Sequence, residues 1–317
     1  MEEYKYLVRV SCMTYNHAPY IEDALNGFCM QETDFPFVCT IVDDASTDGE
    51  QEVIKNYLQQ HFDLDDASVV RNEETDDYYL TFARHKTNKN CYFAVYFLKY
   101  NHYQIKKTKA HYFREWNGNV KYVARCEGDD YWIHSGKLQM QVDFLETHPE
   151  HSLCIHAHRK DMDEEDGSVS SVEVIRYPYD VETVSDKDVL KGTGMFAATA
   201  TMVYRVDALV NYPLWAKIAP VGDRPLQLVL FSRGKIGYFA KVMSVYRVGV
   251  QGSWTLRILN NTKERKTHDE RLIQMYKDFD VWTNRKYHSY IVKGLFNYRM
   301  ATYKSNIVAL LKTLLSR

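Results

Sequence analysis

The chain has 317 residues, 45% hydrophobic and 26% charged, with 14 Gly and 7 Pro, which excludes collagenous, disordered and low-complexity classes. Its length predicts one large α/β domain, or one domain with an appendage, and is enough for a full core. The 40 basic and 42 acidic residues leave a net charge of −2, so no nucleic-acid partner is expected, and with no apolar run near the roughly 20 residues that span a bilayer and no signal-peptide pattern in MEEYKYLVRV, a cytoplasmic protein is.

In chain order, the β-branched run Leu7–Thr14 predicts a strand, and Ile21, Ala24, Leu25 and Phe28 predict the amphipathic helix that follows it. The unit repeats as a strand over Phe37–Val42, an acidic turn (DDASTDG) and a helix from Glu50 to His61 carrying Val53, Ile54, Tyr57 and Leu58. Ser68–Arg71 reads as a third strand, and residues 72–118, without a clean period, as a long, partly helical excursion. A strand over Val120–Cys126, the turn EGDDYW and a helix over Ser135–Thr147 come next. Strands are expected at Ser152–His156, around Ser170–Arg176, at Ala198–Tyr204 and at Tyr238–Arg247, with a helix near Arg224–Arg233 and two or three helices over Thr262–Arg317. Strands alternating with helices predict a doubly wound, mostly parallel sheet flanked by helices.

The last 61 residues, Arg257–Arg317, hold 13 Lys and Arg against 5 Asp and Glu, so an acidic body carries a basic tail. A solvated helical surface accounts for such a tail. Basic residues mixed with Trp282, Tyr287, Tyr290 and Leu295 also suit an anionic membrane surface, and peripheral contact with the inner membrane through these C-terminal helices is the expectation to test. The six cysteines form no CxxC pair and read as reduced core residues.

The chemistry gathers at strand ends, where open parallel sheets bind their ligands. Asp43-Asp44 follows one strand directly, and Glu127-Gly128-Asp129-Asp130 follows another. Two acidic clusters on neighbouring strands repel each other unless a cation or hydrogen-bond donors lie between them. Neither GxGxxG nor GxxxxGK[ST] is present, so a bound diphosphate needs another counter-charge, for which a carboxylate-held divalent metal is suited.

The succession VSCMTYNHAPYIEDAL, IVDDASTDG, CEGDDYW, GDRPLQL and SVYRVGVQGSW resembles bacterial family-two glycosyltransferases of the GT-A fold, in particular the surface-polysaccharide subgroup with EGDDYW. The resemblance covers about residues 5–255. It implies a GT-A nucleotide-sugar-binding and catalytic domain over 1–255, followed by a basic helical appendage over 256–317. It further implies an inverting hexosyl transfer from a nucleotide-sugar, usually a UDP-sugar, to a glycan or lipid-linked acceptor in surface-polysaccharide synthesis. Thr14, Tyr15, Asp43 and Asp44 would line the base and ribose site, Glu127 and Asp129 would take the outer places of an Asp-x-Asp motif, and Asp129, supported by Asp130, would hold Mn²⁺ or Mg²⁺. Asp223 would be the general base, Arg247 a diphosphate contact, and Trp132 and Trp254 acceptor-side platforms. Two departures stand out: Glu127 replaces the motif's first Asp, and Gly249 stands where many relatives carry a loop histidine. Two other readings stay open. A sugar-phosphate nucleotidyltransferase would need an early Gly-rich phosphate loop, and a non-catalytic glycan-binding homologue would do without the base.

Overall fold

The computed structural model describes residues 4–118, 120–163, 169–179, 181–191, 196–250 and 262–300. Its strands are β1 (Val8–Thr14), β2 (Phe37–Asp43), β3 (Arg71–Glu74), β4 (Tyr78–Arg84), β5 (Cys91–Leu98), β6 (Tyr122–Arg125), β7 (Tyr131–Trp132), β8 (His151–Asp163), β9 (Val169–Ile175), β10 (Val203–Arg205) and β11 (Lys235–Val248). The main helices are α1 (Ile21–Cys29), α2 (Glu50–His61), α3 (Ala110–Asn117) and α4 (Lys137–Thr147), then short α5 (Asp186–Val189) and α6 (Leu214–Lys217), α7 (Asp223–Arg233) and α8 (Thr262–Trp282).

One mixed sheet runs β3-β4-β5-β2-β1-β6-β10-β8-β11-β7, with β9 paired to β8. Its centre, β5-β2-β1-β6, is parallel. β10 is antiparallel to both its neighbours, and β11 runs parallel to β8. Strand β2 is buried along its whole length because helices cover both faces of the sheet. Phe37, Cys39 and Ile41 point to one face, where α1, α2 and α4 pack, whereas Val38 and Val42 point to the other, under α3. On β8 the same alternation sends Cys154 toward α4 and Leu153 and Ile155 toward α7. All six cysteines are free thiols, five of them buried.

The excursion over 72–118 is not chiefly helical: β4 and β5 belong to the main sheet, and β5 lies beside β2 in parallel register. Its run CYFAVYFL shows no alternation because both of its faces are buried. The expected strand at Ser68–Arg71 forms only from Arg71 onward, and Ala198–Tyr204 splits into a 3₁₀ turn over Thr199–Thr201 and β10.

The tail also departs from expectation. Leu272, Met275, Tyr276 and Phe279 of α8 are buried with α7 in a second core cluster, and Tyr287, Ile291, Trp282 and Leu295 pack there too. The aromatic and apolar residues expected to meet a membrane are thus mostly spent on the core, because the half of the sheet around β8 and β11 needs a cover on that face. None of the described helices is long and apolar enough to cross a membrane.

Candidate active site

Thr14 and Asp43 close their strands side by side, in register across β1 and β2. Just beyond, the chain turns at Asn16, whose φ of 57° is tolerated by asparagine. The side chain holding this corner together is Glu50, the first residue of α2 and fully buried. Its Oε1 accepts from the Thr14 hydroxyl, and its Oε2 accepts from the His17 N–H at 2.9 Å and the Ser46 hydroxyl at 2.8 Å. Burial raises its pKa above the usual carboxylate range, and these donors oppose the rise. Asp48 Oδ2 accepts the Ala18 N–H and Asn16 Oδ1 the Thr47 N–H, so the β1 and β2 turns are cross-tied through both.

The two aspartates after β2 do different work. Asp43 accepts on Oδ1 from Ser46 N–H and the Gln51 amide, while its buried Oδ2 has no hydrogen-bond partner. Burial raises its pKa as well. A buried acceptor left open at a strand end suits a ligand N–H or O–H. Asp44 is occupied: it accepts from the His102 and Tyr103 N–H groups at 2.8 and 3.2 Å and pairs with Lys109 at 2.6 Å, anchoring the loop after β5. The nucleotide contact expected of Asp44 is replaced by this anchoring. Beside Asp43 opens a cleft of about 730 Å³, whose walls include Tyr15, Tyr79, Phe97, Tyr100, Ser46 and Gln51.

The EGDDYW turn follows β6. Gly128 is required there: a Cβ would stand 2.1 Å from Thr14 Oγ1, so only glycine lets this turn approach the end of β1. Glu127 is held by Arg125 Nη2 at 3.3 Å and by the Thr199 hydroxyl. Asp129 remains the accessible carboxylate, its Oδ2 3.8 Å from His17 Nε2. Asp130, expected to support a cation, instead turns inward. It is 2% exposed, and its Oδ1 accepts the Arg247 N–H at 2.9 Å. Burial first, then Asp129 and Glu127, push its pKa well up.

Two further expectations are corrected here. Trp132 is 1% exposed, donates to the Ala200 carbonyl at 2.9 Å and packs edge-on against Phe28, so it is a core residue and not an acceptor platform. The Arg247 guanidinium bonds the Asp129 carbonyl and Asp23 and lies over Tyr131, which makes it a stitch between β11, the acidic turn and α1. Trp254 lies outside the described residues.

Asp223 opens α7, and the next residue explains its placement. The buried Arg224 donates to the Tyr276 hydroxyl at 2.5 Å and to the Val189 carbonyl at 2.7 Å, tying the start of α7 to α8 and α5. Tyr246 of β11 reports where the acids meet. Its pKa rises to about 12, through burial and then the fields of Asp130, Asp129, Asp223 and Glu127. Asp223 therefore faces the same space as the acidic turn. Missed in the sequence were Glu50 and His17; the first looked like an ordinary helix start, and the second stands in the quoted run TYNHAP without an Asp or Cys neighbour to mark it.

Among the described residues no three His, Cys, Asp or Glu side chains are gathered to hold a metal by themselves. Asp129 and the imidazole facing it are donors suited to a cation whose remaining ligands are phosphate oxygens and water.

Comparison with known proteins bears on this arrangement. The model of the family "Glycosyl transferase family 2" matches residues 12–79, the segment that carries Thr14, His17, Asp43 and Glu50. The uncharacterized proteins Rv1520 of Mycobacterium tuberculosis and Mb1547 of Mycobacterium bovis are each 29% identical over 247 residues, covering 76% of this chain. The chain spans 59% of the length of these curated relatives. Among solved structures, the mannosyltransferase PcManGT from Pyrobaculum calidifontis, in complex with GDP-Man and Mn²⁺, has a TM-score of 0.52 at 14% identity over 98% of this chain and 81% of its own. S. aureus TarS 1-349 has a TM-score of 0.49 at 16% identity over 88% of this chain and 73% of its own. The chain has the GT-A fold, a mixed sheet with a parallel centre flanked by helices. The family match, on the segment that builds the first half of the site, supports a glycosyltransferase of family 2.

Proposed function

We propose that this chain is an inverting glycosyltransferase that moves a hexosyl unit from a nucleotide-sugar, in the first instance a UDP-sugar, to a hydroxyl of a glycan or lipid-linked acceptor in surface-polysaccharide assembly. The observation that carries the reading is the convergence of Glu127, Asp129 and Asp223 on Tyr246 at the carboxyl end of a parallel sheet, beside a cleft of about 730 Å³. The aromatic walls of that cleft suit a nucleobase and ribose, and the open Oδ2 of Asp43 suits a donor group on either.

In this reading residues 1–255 form the catalytic unit, and residues 256–317 form a helical segment that braces it through Tyr276 and Arg224. Asp129 would hold a divalent cation together with the donor's diphosphate, and such a cation supplies charge neutralisation for the departing nucleoside diphosphate. Asp223 takes the proton of the acceptor hydroxyl. That oxygen attacks the anomeric carbon from the face opposite the diphosphate, the bond from carbon to diphosphate oxygen breaks, and the single displacement inverts the centre. Glu127, fixed by Arg125 and Thr199, orients the donor's ribose. PcManGT, of the same fold, binds GDP-Man with Mn²⁺, so GDP-sugars belong in the test.

Nucleoside diphosphate release from a panel of UDP- and GDP-sugars, with Mn²⁺ and candidate acceptors, tests the proposal. One donor is expected to turn over, and Asp223→Asn to slow it about 10²–10⁴-fold. Binding of glycans with no donor turned over would leave the non-catalytic reading in its place.

A further inference from the structure

We propose that His17 is a direct ligand of the divalent cation, sharing it with Asp129, and that this imidazole selects Mn²⁺ over Mg²⁺. The inference rests on the donor site proposed above and deepens it.

The hydrogen bonds around His17 fix its tautomer. The Thr14 hydroxyl spends its proton on Glu50 Oε1, so toward His17 Nδ1, 3.1 Å away, Thr14 Oγ1 can only accept. Nδ1 therefore carries the ring proton, and in the neutral ring Nε2 presents its lone pair. That lone pair faces Asp129 Oδ2 at 3.8 Å, too long for a hydrogen bond. Two electron-rich atoms held face to face repel unless a positive charge lies between them. Donors bind such cations at about 2.0–2.2 Å, so two donors on one ion stand roughly 3–4 Å apart, the spacing found here.

The ring is also immobilised as a ligand should be. Its backbone N–H is held by the buried Glu50, and its far nitrogen by Thr14, which places a buried carboxylate behind the hydroxyl that orients the imidazole. His17 and Asp129 are 16% and 21% exposed at the side chain, open enough to meet a ligand from the cleft side. The choice of metal follows from donor type: Mg²⁺ keeps to oxygen ligands, whereas Mn²⁺ lies higher in affinity order and accepts imidazole more readily.

The experiment is electron spin-echo envelope modulation of Mn²⁺ bound to the full chain with UDP or GDP, whichever binds. Wild type is expected to show the nitrogen modulation of one imidazole, and His17→Gln to keep the Mn²⁺ signal without it. Calorimetry should show nucleotide affinity in Mn²⁺ on the order of tenfold above that in Mg²⁺, with His17→Gln closing the gap. Wild-type Mn²⁺ bound with nucleotide but lacking nitrogen modulation would overturn the assignment and leave the donor site standing. Absence of any metal-dependent nucleotide binding would overturn the donor site itself. If His17→Gln does not fold, the wild-type spectrum and the Mn²⁺/Mg²⁺ ratio still decide.

Discussion

The turn after β1 and the turn after β11 reach the same acidic loop from two sides, and they are built on different principles. The β1 turn is drawn onto α2 by one buried carboxylate, Glu50, and delivers an imidazole toward Asp129. The β11 turn reaches the loop through the Arg247 backbone N–H and guanidinium, and then passes through Gly249 at φ 95°. At that φ a histidine would be strained, so a side-chain ligand is disfavoured on the β11 side by the backbone itself. A site can thus change the strand end from which an imidazole comes, and local conformation decides which end can supply it.

The largest expected effect lies on the side of the base. Asp223→Asn should lower the transfer rate about 10²–10⁴-fold while leaving nucleotide affinity within error, measured by steady-state turnover and calorimetry. Unchanged turnover would remove Asp223 from the reaction.

Glu50→Ala attacks the other side. It leaves the Thr14 and Ser46 hydroxyls and the His17 N–H without their acceptor, and about 3 kcal/mol of stability should be lost in urea titration. Here nucleotide affinity should fall, the opposite of the Asp223→Asn pattern. A variant that stays as stable as wild type would show that the β1 turn does not depend on Glu50.

The two sides should also answer acid differently. His158 lies opposite Ser244 of β11, and burial holds its pKa down to about 4; neighbouring His156 is lowered too, chiefly by burial. Between pH 6.5 and 4 the unfolded chain binds a proton that folded His158 does not, so stability falls as pH drops, at up to about 1.4 kcal/mol per pH unit for one histidine. Asp43 and Glu50 have raised pKa values, so protonation as pH falls through those values favours the folded state. His158→Gln should flatten the acid limb of a denaturation-midpoint profile, and an unaltered limb would mean that His158 is protonated in the fold. The smallest effect is expected from Gly249→Ala, about 1 kcal/mol of stability lost to the positive φ.

The parallel centre of the fold was legible because β1, β2 and β6 each precede an acidic or polar turn and, for the first two, an amphipathic helix with a clear 3.6 period. Strand β5 was not, since a strand buried on both faces has no alternation to detect. The acidic residues of the site could be read as a set, but their division of labour could not. Asp43 and Asp44 are adjacent and chemically identical, and only the packing of the loop after β5 shows that Asp44 is spent on Lys109 and two N–H groups. Tyr131 and Trp132 divide in the same way: alternation in β7 sends Trp132 into the core, leaving Tyr131 under Arg247. Glu50 was hidden because a glutamate opening a helix is common, and its role depends on contacts with residues more than 30 positions away.

The central claim is a nucleotide-sugar site built on Asp129, and calorimetric binding of UDP and GDP, each with and without Mn²⁺, to wild type and Asp129→Ala tests it most directly. The account predicts that one nucleotide binds wild type in a metal-dependent manner and that Asp129→Ala abolishes this. Binding of neither nucleotide under any condition, or equal binding by the variant, would contradict it.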